Sequence, residues 1–188
     1  DNMGVPVFYC IGNHDLVKGK YGEEVFEKYY GPVYYSFDVA GVHYIVTPMP
    51  GGDYRPGYTC DEVARWMKND LAQIKEGTPV YIFNHNILTS GDRFIYKGAT
   101  ESIDLDAYNL KAWIYGHWHI NLKQKQGNVW TICTSSTDKG GIDHSKGGYR
   151  VIKVDRNGDF SSQLRYCYLN RHLCISSPTE LSATTTLM

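Results

Sequence analysis

Three apolar runs of this sequence each end in a short polar cluster that contains histidine. The clusters are GNHD at 12–15, Asn84 followed by His85, and GHWH at 116–119. Imidazole nitrogen is the commonest neutral ligand of divalent first-row metals, and an amide oxygen is a harder ligand that the same ions accept. The sequence therefore predicts a metal site, provided that the three clusters meet in space.

The apolar runs at 5–11, 80–83 and 110–115 are typical of short buried strands. In a layered α/β sheet the carboxyl ends of neighbouring strands open at one edge, where loops build ligand sites. An extended backbone would turn the side chains of His117 and His119 to the same face. Two metal ions about 3.5 to 4 Å apart could then each bind one of these imidazoles. A histidine at one strand end is often just solvated or hydrogen-bonded, so it is the repetition that favours a metal.

Further elements must hold these strand ends in place. The predicted elements are helices over 23–30 and 61–75 and the hairpin strands 34–39 and 42–47, followed by a mostly antiparallel second half. A side-chain oxygen of Thr59 or Asp61 is expected to cap the second helix. The loop at 48–57, with three prolines and three glycines, is longer than a connection requires and is expected to border the site.

The amino-acid composition limits the classes of protein to which this chain can belong. A hydrophobic content of 42% and a net charge of -1 predict one globular domain over 1–169, without the basic stripe of a nucleic-acid-binding protein. No apolar run is long enough for a membrane-spanning helix. Residues 170–188 are predicted to be a polar, disordered tail or linker. Five cysteines match neither a zinc knuckle nor a small disulfide scaffold. Cys10 and Cys133 fall in apolar runs and are predicted to be buried thiols, and Cys167 and Cys174 could pair across a bend.

Taken together and in this order, GNHD, the strand-end His85 and GHWH resemble the calcineurin-like metallophosphoesterases over residues 5–169. The resemblance implies an α/β sandwich of two mixed β-sheets flanked by helices. It also implies a hydrolase of phosphoric monoesters or diesters, small or macromolecular, with a dinuclear centre of Mn, Fe, Zn or Co ions.

The resemblance also assigns roles to individual residues. His14 is implied to stabilise the phosphoryl transition state and to protonate the leaving oxygen, with Asp15 as a supporting group nearby. Asn13, His85 and His117 are implied to bind one metal and His119 the other. Sixteen tyrosines and the 48–57 loop could form an aromatic rim around an organic leaving group, or could be ordinary core and surface residues.

The family pattern places an Asp-x-His motif and a Gly-Asp motif ahead of GNHD, whereas eleven residues precede Gly12. We therefore expect this chain to be the carboxy-terminal majority of a catalytic domain, inactive alone and binding at most one ion. An open sheet edge beside residues 5–11 would then favour self-association.

Two alternatives stay open at this point. One is a scaffold that kept the fold and binds without catalysis, and the other is a β domain in which three histidines hold a single metal. Outside the three clusters, His43 is predicted to be a sheet residue and His172 a tail residue, while His144, in a glycine-rich loop, could also line the site.

Overall fold

The computed structural model describes residues 4–89, 91–169 and 171 of the chain. The helices are α1 (Glu24–Tyr30) and α2 (Cys60–Leu71), and single 3-10 turns occupy Asn13–Asp15 and Leu105–Ala107. The strands are β1 (Tyr35–Val39), β2 (Val42–Val46), β3 (Pro79–Phe83), β4 (Ile95–Lys97), β5 (Ser102–Asp104), β6 (Asn109–Tyr115), β7 (Leu122–Gln126), β8 (Val129–Cys133), β9 (Gly148–Val154) and β10 (Phe160–Tyr166).

A six-stranded mixed sheet forms the centre, in the order β1-β2-β3-β6-β8-β7. Strands β2, β3, β6 and β8 are parallel, and the edge strands β1 and β7 are antiparallel to their neighbours. The carboxyl ends of β3 and β6 therefore lie side by side at one edge, which brings His85 and His117 together. The α/β fold class with a mixed sheet is confirmed.

Helix α2 and the β4–β5 ribbon pack on one face of this sheet. Val63 and Met67 of the helix are fully buried in one cluster with Ile82 of β3 and Trp113 of β6. Burial of such a side chain contributes roughly 1.5 to 3 kcal/mol to folding. The helix starts where the sequence predicts, because the Thr59 hydroxyl accepts the backbone N–H of Glu62 in a capping box.

A buried histidine ties α2 to the sheet. His43 of β2 contacts Asp38 of β1 and Asp70 of α2, with 2.9 Å between each ring nitrogen and its carboxylate oxygen. The prediction that His43 is a sheet residue is confirmed, and it lies away from the strand-end clusters.

The β9–β10 ribbon covers part of the opposite face. Phe160 packs against Tyr81 and Trp130 with ring centroids 6.1 Å apart in both pairs. The Tyr81 hydroxyl donates a hydrogen bond to the Gly158 carbonyl at 2.8 Å. Among the described residues, the second layer is this two-stranded antiparallel ribbon.

The prediction of a buried strand at residues 5–11 is wrong. Val5 and Phe8 are exposed, although Ile11 is buried. A strand needs a neighbour to pair with its backbone groups, and no described strand pairs with this segment. It is held by the Tyr35 hydroxyl, which donates to the Tyr9 carbonyl at 2.9 Å. Self-association beside this segment stays a prediction.

Other local predictions need smaller corrections. Strands β4, β5 and β7 were not predicted, because three-residue strands show too little periodicity and the edge strand LKQKQ is almost entirely polar. Helix α2 ends at Leu71 rather than residue 75. The hairpin is confirmed, and the second half is mostly antiparallel, although β8 also pairs in parallel with β6. In the part of the chain that is described, no helix is long and apolar enough to span a bilayer.

The predicted tail at 170–188 lies outside the described residues except for Arg171, and His172 and Cys174 lie outside them as well. The pairing of Cys167 with Cys174 therefore stays a prediction. Cys133 is buried as predicted.

Candidate metal centre

Three of the four predicted metal ligands meet around one oxygen atom. The side-chain oxygen Oδ1 of Asn13 lies 3.1 Å from Nε2 of His85 and 3.1 Å from Nδ1 of His117. The two imidazole rings approach edge to face, with centroids 5.0 Å apart. Residues separated by up to 104 positions in the sequence thus converge, because β3 and β6 are parallel neighbours and the turn Asn13–Asp15 lies over their ends.

This arrangement fits a divalent cation. Two donor atoms bound at right angles to one ion, each about 2.1 Å from it, lie about 3 Å apart, and both measured separations are 3.1 Å. Burial, reinforced by the nearby charge of His117, lowers the pKa of the His85 imidazole to about 4. The ring is therefore neutral near pH 7, as metal binding requires.

The donor set is small. Within residues 4–89, 91–169 and 171, no group of three or more His, Cys, Asp or Glu side chains could hold a metal ion. The cluster of Asn13, His85 and His117 has three donor atoms only because the Asn13 side-chain oxygen is counted with the two imidazole nitrogens. A set with no carboxylate carries no negative charge, so we expect it to bind one ion with modest affinity.

His119 does not join the cluster. His117 and His119 both have left-handed backbone angles, with φ values of 36° and 51°, so the extended backbone expected between them is wrong. The His119 side chain is exposed, and in the described ranges its ring makes no hydrogen bond. Its charge still contributes to the lowered pKa of His85, which places it near the cluster.

Buried polar contacts fix the position of His85. The side-chain amide of the preceding Asn84 donates to the Thr47 hydroxyl at 2.8 Å and to the Pro48 carbonyl at 3.0 Å. These bonds tie the end of β3 to the end of β2. A Cβ atom on Gly12 would lie 3.1 Å from the His85 ring, so glycine at this position leaves room for the close approach.

His14 points into solvent and is held by a residue that the sequence did not reveal. Its side chain is 82% exposed, and its Nδ1 atom lies 2.7 Å from Oδ2 of Asp53. The backbone N–H of Asp53 donates to the Asn13 carbonyl at 3.0 Å. A Cβ atom on Gly52 would lie 2.2 Å from that same carbonyl oxygen, so only glycine allows this contact. The 48–57 loop does border the site, as expected.

The signal for Asp53 in the sequence is weak. A carboxylate in a loop rich in proline and glycine is common, and nothing in the spacing links it to His14. Asp15, by contrast, is a predicted site residue, and the structure places it as a cap: its carboxylate accepts the Gly12 backbone N–H at 2.8 Å. His144 is exposed in a loop whose Ile142 N–H donates to the His119 carbonyl at 2.8 Å, so this loop borders the site while His144 itself lies outside the cluster.

Comparison with known families agrees with this geometry. The chain matches the family model of the calcineurin-like phosphoesterases over residues 1–121, a range that includes all three histidine clusters. Comparison with individual curated proteins gives no match. Because the family model covers more than half of the 188 residues, the chain belongs to the calcineurin-like phosphoesterase family.

Proposed function

We propose that this chain, in contrast to the expectation that it is inactive alone, hydrolyses phosphoric monoesters or diesters with the help of a divalent metal ion held by Asn13, His85 and His117, because these three donor groups meet without the Asp-x-His and Gly-Asp motifs. The observation that carries the proposal is the convergence of these three donor groups at 3.1 Å separations. His14 follows Asn13 directly, so a titratable imidazole lies beside the cluster. Membership of the phosphoesterase family supports this reaction class.

A bound divalent ion at this cluster would neutralise phosphate charge and lower the pKa of a water molecule. The chain itself supplies a proton donor. Because Nδ1 of His14 faces the Asp53 carboxylate, its other ring nitrogen is free to donate a proton to the leaving oxygen. Asp53 orients the ring, as the carboxylate of a catalytic triad does.

The number of ions follows from the donor set. Asn13, His85 and His117 share one position, whereas His119 is a single donor at the edge of the site. We therefore propose that this chain holds one ion with useful affinity. Nitrogen and amide-oxygen donors accept manganese, iron, zinc and cobalt, so each of these ions belongs in the test.

The test starts from the metal-free chain and adds each ion in turn. Hydrolysis of p-nitrophenyl phosphate and of bis(p-nitrophenyl) phosphate is followed, and ion binding is measured by calorimetry on the same samples. We expect hydrolysis that depends on the ion and is lost in His85→Ala. The matched control is His144→Ala, which removes an exposed histidine outside the cluster.

Two results would contradict the proposal. A chain that binds the ion but hydrolyses neither ester would support the non-catalytic scaffold. A chain that binds no divalent ion would show that the three donor groups are only hydrogen-bonded to one another.

A further inference from the structure

Trp118 exposes a large aromatic ring at the edge of the metal cluster. It lies between His117 and His119 and is 43% exposed. Its ring meets Tyr115 edge to face, with centroids 5.4 Å apart and an interplanar angle of 85°. Trp113, which lies in strand β6 and precedes Trp118, is fully buried. Core packing therefore accounts for Trp113 but leaves much of the Trp118 ring uncovered.

The backbone around Trp118 is fixed. The residues on both sides have left-handed φ angles of 36° and 51°, a conformation that is uncommon for residues other than glycine. The Gly116 N–H donates to the His85 carbonyl at 3.1 Å, and the His119 carbonyl accepts the Ile142 N–H at 2.8 Å. These backbone bonds, together with the contact of the ring with Tyr115, restrict the indole before any ligand arrives, which lowers the entropy cost of binding.

The side chains around the cluster include both polar and apolar groups. His14 and Asp53 form a polar pair, with 2.7 Å between Nδ1 and Oδ2. Trp118 directly precedes His119, and Ile142, which is 73% exposed, donates its backbone N–H to the His119 carbonyl. In the described part of the chain the indole N–H of Trp118 has no hydrogen-bond partner. Trp118 thus offers both an apolar face and an unused donor.

We propose that Trp118 determines substrate specificity by stacking on a planar aromatic group in the organic part of the phosphate ester. The inference rests on the proposed function, because the phosphate must bind at the metal cluster for the organic part to reach the indole. Stacking of one aromatic base on a protein aromatic ring changes affinity by about 5- to 150-fold. An aryl or nucleoside ester should therefore bind more tightly than an aliphatic one of equal size and charge.

The experiment uses the full chain loaded with Mn²⁺ and two non-hydrolysable probes, benzylphosphonate and cyclohexylmethylphosphonate. These probes match in charge and nearly in size, so their affinity ratio isolates aromatic stacking. Calorimetry should show the benzyl probe bound at least about fivefold more tightly. Trp118→Ala should abolish the preference, and Trp118→Phe should keep most of it. Tyr29→Ala, which removes an exposed tyrosine on α1, should leave it unchanged.

Equal affinities in the parent chain, binding of neither probe, or a preference that survives in Trp118→Ala would each overturn the proposal. Mn²⁺ affinity is measured in every variant, and an unchanged value shows that the cluster is intact. A comparison of adenosine 5′-monophosphate with ribose 5-phosphate separates nucleobases from simple aryl groups. Hydrolysis of phenyl phosphate without the probe preference would refute this inference alone, whereas the preference without hydrolysis would refute the proposed function alone.

Discussion

Replacement of each GHWH histidine by alanine should affect metal binding very unequally. Nδ1 of His117 lies 3.1 Å from the Asn13 oxygen, whereas His119 has no such contact. His117→Ala removes one of three donors. Because the loss of a group that merely supports a ligand typically costs 10- to 100-fold in metal affinity, we expect at least about a 100-fold loss, or about 2.7 kcal/mol. His119→Ala should change the affinity by no more than about threefold.

The two variants are well matched. Both residues have positive φ values, 36° and 51°, so alanine meets a similar backbone strain at each position. The assay is calorimetric titration of the metal-free chain with Mn²⁺ and with Zn²⁺, and thermal unfolding shows whether each variant is folded. The parent chain should bind one ion. An equal or larger loss in His119→Ala, or two tight and equivalent sites in the parent chain, would refute the assignment of ligands.

Three further predictions concern the residues that support the site and the fold. Asp53→Asn should slow hydrolysis of an alkyl phosphate by at most about fivefold, since an exposed pair of this kind, 2.7 Å apart, is worth at most about 1 kcal/mol. An aryl phosphate, which needs little protonation, should be barely affected, and equal losses in turnover would argue against a role in proton donation. Gly52→Ala should lower the thermal unfolding midpoint and slow both reactions, because its Cβ would lie 2.2 Å from the Asn13 carbonyl oxygen; an unchanged midpoint and rate would contradict the close contact. Asp70 and Asp38 both lie 2.9 Å from His43, but Asp70 is 18% exposed and Asp38 is 70% exposed. Asp70→Asn should therefore lower the free energy of unfolding in urea by about 1.5 to 3 kcal/mol, and Asp38→Asn by less than about 1 kcal/mol. Equal losses would show that burial does not set the strength of these bonds.

Local sequence signals predicted the elements that hold the site. The Thr59 cap depends on a residue three positions away, Glu62, and the hairpin depends on the turn at Ala40 and Gly41. His85 and His117 could be identified as site residues because each follows an apolar run, and parallel strands bring such ends to one edge. Each of these signals comes from residues that lie close together in the sequence, so it can be recognised without knowledge of the fold.

Tertiary contacts decided the remainder. Residues 5–11 are as apolar as a strand, but no described strand pairs with them. The partner of His14 is Asp53, 39 positions along the chain, and no spacing rule connects the two. Backbone angles separate His119 from the cluster, although the sequence pairs it with His117. The sequence by itself thus determined which side chains are candidate metal ligands and which elements carry them. Only the folded chain decided which of them meet, because hydrogen bonds between distant segments and the backbone angles that they impose are set by the whole structure.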